Sequence, residues 1–222
     1  MDIKFIIYDQ DEAELFPIKP ANKVIPEWYR DLDMWKTNSH GGNGLPTVKH
    51  CMPVQDMLTS GYIIFNTYDT VISPFKSGSH TDYNVQCHSH NYVSGHQFDQ
   101  CPVKTNGKIQ HYFKIKQPWT VKTPPGYSCL FVQPFYHFEN RYTLMPSIVD
   151  TDSHDLPVEI PGWANTAEQF NIESGKALMQ IIPFKRDDWT MSIEHTAPKR
   201  SLINFILTGG YRKIFHKKKT FK

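Results

Sequence analysis

Cysteine is scarce in this chain. The four present, Cys51, Cys87, Cys101 and Cys129, form no CxxC pair and follow no regular spacing, so a disulfide framework is excluded as the source of stability. Free, mostly buried thiols are the expectation. No stretch approaches the roughly 20 apolar residues of a membrane-spanning helix, and the opening MDIKFIIYDQDEAELF turns acidic where a secretory signal would stay apolar. Neither a signal peptide nor a transmembrane segment is expected. Charge of one sign is also missing: 24 Lys and Arg stand against 22 Asp and Glu, so the totals announce neither a nucleic-acid nor a membrane partner. No Gly-x-Ser-x-Gly elbow, phosphate-binding loop, His-Glu-x-x-His or dinucleotide fingerprint occurs. The common enzyme signatures are absent, and so is any Gly/Ser-rich or Pro-rich linker, which predicts one domain over residues 1–222.

Aromatic residues are abundant: 14 Phe, 11 Tyr and 5 Trp supply enough apolar surface to close a sizeable core. Residues 4–8 (KFIIY) suit a strand, and Pro17, Pro20 and Pro26 then mark an extended, wrapping arm over 9–25, with Leu15, Phe16 and Ile18 as residues to bury. Two short helices follow, one over 25–35 with Trp28, Leu32 and Trp35 on one face, the other over 53–60 and stopped by Gly61. From residue 61 short β-rich runs recur between Pro, Gly, Asn and Asp: GYIIFNTY, YNVQCHS, IQHYFKIK, YSCLFVQP, TLMPSIV, PVEIP, EQFNIES, ALMQIIPF and TMSIEH. A barrel or sandwich over 61–197 is the reading, with Leu130, Val132, Ile148, Leu178, Ile181 and Phe184 inside. A helix beyond 198, stopped at Gly209 and Gly210, and a basic tail complete the chain.

Three clusters carry possible chemistry. His80, Cys87, His88, His90, His96 and Cys101 fall close together, and imidazole with thiolate is the ligand set zinc prefers; His88, His90, His96 and Cys101 are the candidate ligands. Ordinary hydrogen-bonding histidines fit the same residues, because neither CxxC nor HxxxH is present. Asp150, Asp152, His154 and Asp155 suit a divalent cation or an acid-base pair, or equally an Asp-rich turn after a strand. The tail 211–222 (YRKIFHKKKTFK) gathers six Lys and Arg without an acid, a pattern for phosphate or an acidic protein surface, or for a solvated end.

Residues 123–186 resemble the middle of the dUTPase and dCTP deaminase fold, a β-barrel of the β-clip type. The likeness lies in TPPGYSCLFVQP, then PSIVDTD, then FNIESGKALMQIIPFKR, with nearly equal intervals between Gly126, Asp150 and Gly175. It implies a mainly β, dUTPase-like barrel or sandwich. It also implies Asp150 as the base that orients a water, Gln180 as the other retained site residue, and a homo-oligomer, commonly a trimer. The sequence departs from the family where an Arg-Ser-Ser segment would hold the phosphates: Gln133, Pro134, Phe135 and Tyr136 stand there, and Ser153 follows Asp-x-Asp where a pocket-closing residue is expected. Turnover of dUTP is therefore not expected.

A looser resemblance covers more of the chain, in IPEWYRDLDMWK, VKHCMPVQDMLTSGYII, PWTVKTPPGYSCLFVQP, QIIPFKRDDW and the basic tail. It is to an uncharacterised family of tailed phages and some bacteria. It implies a virion or host-cytoplasm location and a non-catalytic structural or accessory role through contacts with itself or other virion proteins, without cofactor. The alternative is a nucleotide-binding or metal-dependent enzyme that uses Asp150.

Overall fold

The computed structural model describes residues 1–8, 10–36, 44–89, 91–96, 104–105, 108–110, 112–196 and 206–222. They form two compact units: Met1–Lys19 with Gly61–Arg186, and Pro20–Ser60 with Asp187–Lys222.

The first unit is built of strands, as the β-branched and aromatic runs dictate. In one sheet Ser147–Val149, Tyr127–Val132, Ala177–Lys185 and Tyr62–Phe65 lie side by side, all antiparallel. A second contains Tyr142–Leu144, Glu159–Ala164, Tyr112–Lys116 and Val93–His96. The third runs Phe170–Ile172, Thr70–Ser77, His80–Cys87, Lys108–Gln110 and Lys104–Thr105, with one parallel pair. Lys4–Ile6 pairs with Thr120–Lys122 apart from these. Alternate residues of the sheets meet in one core that includes Ile64, Ile72, Phe113, Phe131, Ile160 and Ile181. The architecture is mainly β, and among the described residues no sheet closes into a barrel.

Several sequence expectations need correction. The segment after residue 9 is not wholly irregular: Gln10–Leu15 is a helix, favoured by Ala, Glu and Leu and by Asp11 and Glu12 at its positive end. Its Ala13 packs on the core, Leu15 stays exposed, and Phe16 lies over Gly175, where a Cβ would come within 2.7 Å of the Phe16 ring. Thr70–Ser77 is a strand despite Pro74. Its second neighbour, Phe170–Ile172, reaches only Thr70 to Ile72, so the proline falls where the ladder is one-sided. Ile148 is 65% exposed rather than buried. It lies opposite Leu130, on the face away from Cys129 and Phe131, which are the residues in the core.

In the second unit the first helix is only Glu27–Asp31. Tyr29 is its buried residue, while Trp28 is exposed and Trp35 belongs to a two-residue strand paired with Leu45–Pro46, so the expected face of Trp28, Leu32 and Trp35 does not form. Met52–Thr59 carries Pro53 in its first turn and ends where Thr59 and Ser60 hydroxyls donate to the Gln55 and Asp56 carbonyls. Gly61 follows at φ 72°. The run 190–195, expected as a strand, pairs with no strand among the described residues, and a wide helix over Ile206–Phe215 passes through Gly209 and Gly210 instead of stopping there. No helix among the described residues is long and apolar enough to cross a membrane.

Candidate functional site

Asp150 ends the strand Ser147–Val149, and its carbonyl accepts from the backbone N–H of Ser153 (3.0 Å) and His154 (2.9 Å), which makes the Asp-rich segment a turn. Its carboxylate accepts from Ser128 Oγ (2.7 Å) and Arg186 Nη1 (3.0 Å). Asp152 accepts from the Gly126 backbone N–H (2.9 Å) and from both Arg186 nitrogens. The hydrogen bond from Ser128, then Arg186, holds Asp150 below the usual carboxylate range; for Asp152 the order is Arg186, then Gly126. Asp155 pairs with Lys122. These acids tie one end of a sheet together, and a carboxylate stabilised in this way is a weak proton acceptor.

Gln180 stands elsewhere. In the register Asp150 lies beside Ser128 and Gln180 beside Val132, four positions along the same strand, or about 14 Å at ~3.4 Å per residue. The structure does not bring the two together. Gln180 is buried, and its Oε1 accepts from the Phe135 backbone N–H at 3.1 Å, so it anchors the loop 133–141. Gln133 anchors the same loop to the edge strand Tyr142–Leu144, donating to the Tyr142 carbonyl (3.4 Å) and accepting from the Leu144 N–H (3.1 Å).

Between these anchors the loop is strained and aromatic. Tyr136 and Phe138 have φ of 63° and 50°, left-handed values that cost bulky residues about 1–3 kcal/mol each. Phe135, Tyr136, Phe138 and Leu178 help line an open cleft of about 500 Å³, within the size range of small-molecule sites. Glu139 closes its rim. Its carboxylate accepts from Arg141 Nε (2.9 Å), Nη2 (2.8 Å) and backbone N–H (2.9 Å), and from Lys176 Nζ (2.5 Å). Burial alone would raise the Glu139 pKa; the hydrogen bonds from Arg141 and Lys176 outweigh it and bring it down to about 2. Glu173 lies 3.7 Å from Arg141 and 3.9 Å from Lys176, so Glu139 and Lys176 of the rim belong to a network of two cations and two carboxylates. It is balanced, which suits a planar, weakly charged group better than a polyphosphate.

Sequence reasoning marked Gln133 to Tyr136 only as what replaces a phosphate cradle. It missed Phe138, Glu139, Arg141 and Lys176. The usable signal was the aromatic density of PFYHF between Pro134 and Asn140.

Of the proposed zinc ligands, His96 sits on the strand Val93–His96 beside a cleft of about 380 Å³ with Asp82, Tyr83 and Tyr112, and His88 lies in the bend after Cys87. His90 and Cys101 lie outside the described residues. Among the described residues no three His, Cys, Asp or Glu side chains converge as metal ligands.

No family model and no curated protein matches the chain. Solved structures that it resembles are a mutant dUTPase from phage phi11 of S. aureus and a mutant dUTPase of Staphylococcus bacteriophage 80alpha with dUpNHpp. The TM-score is 0.41 for both, with 11% and 10% identity, over 90% of this chain and 99% and 93% of theirs. EIAV dUTPase follows at a TM-score of 0.37 and 8% identity, over 73% of this chain and 91% of that one. At such scores the likeness assigns no activity to this chain.

Proposed function

We propose that this chain binds a planar heterocycle of the nucleoside class in the cleft of loop 133–141, and that it does not use Asp150 as a hydrolytic base. The observation that carries this is the strained aromatic loop, anchored by Gln133 and Gln180 and open onto about 500 Å³ of space. Non-glycine residues are held at left-handed φ where surrounding structure over-determines them, and such strain concentrates at ligand sites. Stacking on Tyr136 or Phe138 supplies affinity for any π-face, at about 1–3 kcal/mol per base. Asp150, hydrogen-bonded to Ser128 and Arg186, is a weak proton acceptor and a poor hydrolytic base.

Calorimetric titration with uridine, dUMP and dUTP tests the reading. Affinities that are similar across the three, weakened about ten-fold by Tyr136→Ala and unchanged by Asp150→Asn, support it. Phosphate or pyrophosphate release from dUTP that Asp150→Asn abolishes would overturn it. A role within a virion rests on the sequence resemblance alone.

Self-association is a second reading with its own observation. Trp189, Met191 and Ile193 alternate at strand period in residues 187–196 and are 91%, 84% and 76% exposed. Residues 188–196 make no hydrogen bond or ion pair among the described residues. An extended, unpaired comb of large apolar groups is what a sheet edge of a second copy would take up. Light scattering should show an oligomer that Met191→Asp with Ile193→Asp dissociates; a wild-type monomer at micromolar concentration excludes it.

A further inference from the structure

The second unit carries a concentration of charge that the cleft does not use. Residues 206–222 contain Arg212, Lys213, Lys217, Lys218, Lys219 and Lys222 and no Asp or Glu. A basic end is ordinarily solvated and loose. This one is pinned: Asp56 on the helix Met52–Thr59 takes His216 Nε2 at 3.0 Å and Lys219 Nζ at 2.5 Å. The His216 N–H donates to the Tyr211 carbonyl at 3.0 Å and closes the last helical turn. Asp56 thus occupies Lys219 and His216 but not Arg212, Lys213, Lys217 or Lys218. Arg212, Lys213, Lys217 and Lys218 are exposed, and their side chains make no hydrogen bond or ion pair among the described residues. Between them lie Ile214 and Phe215, both exposed, with the Phe215 ring 6.2 Å from that of Tyr211.

We infer that residues 211–222 form a binding site for a single nucleic-acid strand, in which Arg212, Lys213, Lys217 and Lys218 contact phosphates and Phe215 stacks on a base. Two features favour a strand over a membrane surface. Beyond Phe215 the chain leaves the helix, and residues 216–222 form neither helix nor strand. At ~3.3 Å per residue such a segment can span up to about 20 Å, enough for Lys217 and Lys218 to follow neighbouring phosphates of one strand. An interfacial membrane helix instead needs a continuous apolar face, and among residues 210–222, whose side chains are described, only Ile214 and Phe215 are exposed large apolar groups. Accessible aromatic rings among cations are the combination that sequence-tolerant single-strand binding uses.

Fluorescence anisotropy of the full chain with labelled oligothymidylate tests this. Four phosphate contacts predict a log–log salt slope of about −3, so raising salt from about 50 to about 200 mM weakens binding about 50-fold. Each single change, such as Lys217→Gln, should flatten the slope by about 0.7. Phe215→Ala should cost about five-fold or more at constant slope. The four Lys and Arg side chains have no partners among the described residues, so the variant with all four changed to Gln tests charge with the described contacts intact. No binding by the wild type at about 50 mM salt would overturn the proposal. Unchanged affinity and slope in the four-fold variant would do the same, as would capture by phosphatidylserine vesicles that excess oligothymidylate does not reverse.

Discussion

Replacing Glu139 with Gln probes the rim of the cleft most directly. The substitution keeps the shape and one acceptor oxygen but removes the charge that Arg141 and Lys176 share. A carboxyl brought from 4.5 to about 2 corresponds to about 3 kcal/mol, at about 1.4 kcal/mol for each factor of ten in proton affinity. The Glu139 side chain is only 11% exposed, but Arg141 and Lys176 are each about a third exposed, so solvent screening reduces the expected loss to about 2 kcal/mol. Because the folded pKa lies below the unfolded one, this stabilisation is complete above about pH 5 and fades as pH falls toward 2. Urea denaturation of wild type and Glu139→Gln at pH 7, 4.5 and 3 measures it. The gap should be about 2 kcal/mol at pH 7 and shrink steadily with acidification. A variant as stable as wild type at pH 7, or a gap independent of pH, refutes the role assigned to Glu139.

Other consequences are as specific. Gly61→Ala places a Cβ 1.9 Å from the Ile181 carbonyl oxygen at a φ of 72°, so it should cost about 2 kcal/mol or more, read as a lowered urea midpoint. Gln180→Leu leaves the Phe135 N–H without its acceptor and should cost about 1–3 kcal/mol, while weakening ligand binding through the loop it anchors. Asp150→Asn should lower stability without touching affinity in the cleft, because Ser128 and Arg186 are its partners; weakened binding in that variant would link the two regions against expectation.

What could be read from the residues followed local physics. Within the run KFIIY, Lys4–Ile6 became a strand because β-branched and aromatic side chains favour extended backbone, and Gly61, Gly126 and Gly175 all stand at the positive φ their turns require. Thr70–Ser77 was hidden by Pro74, which is tolerated only because of where the neighbouring strand stops. β-Rich composition marked TMSIEH as strand-like, but composition does not supply a pairing partner, and none exists among the described residues. Ile148 was misplaced because strand period fixes which residues share a face without saying which face meets the core. The rim was illegible for a different reason. Glu139 and Lys176 are far apart in sequence and meet only because Ala177–Lys185 packs between Tyr127–Val132 and Tyr62–Phe65. Asp150 drew attention by its motif, and only the fold shows Arg186 waiting across the sheet.

The claim that binding occurs in the aromatic loop cleft is tested most directly by mapping backbone amide shifts in two-dimensional NMR while dUMP is titrated into the full chain. Saturable changes confined to loop 133–141, the strand Tyr142–Leu144 and residues 176–178 are the predicted result. Changes centred on Gly126, Ser128, Asp150 and Arg186, or no saturable change at millimolar dUMP, would contradict it.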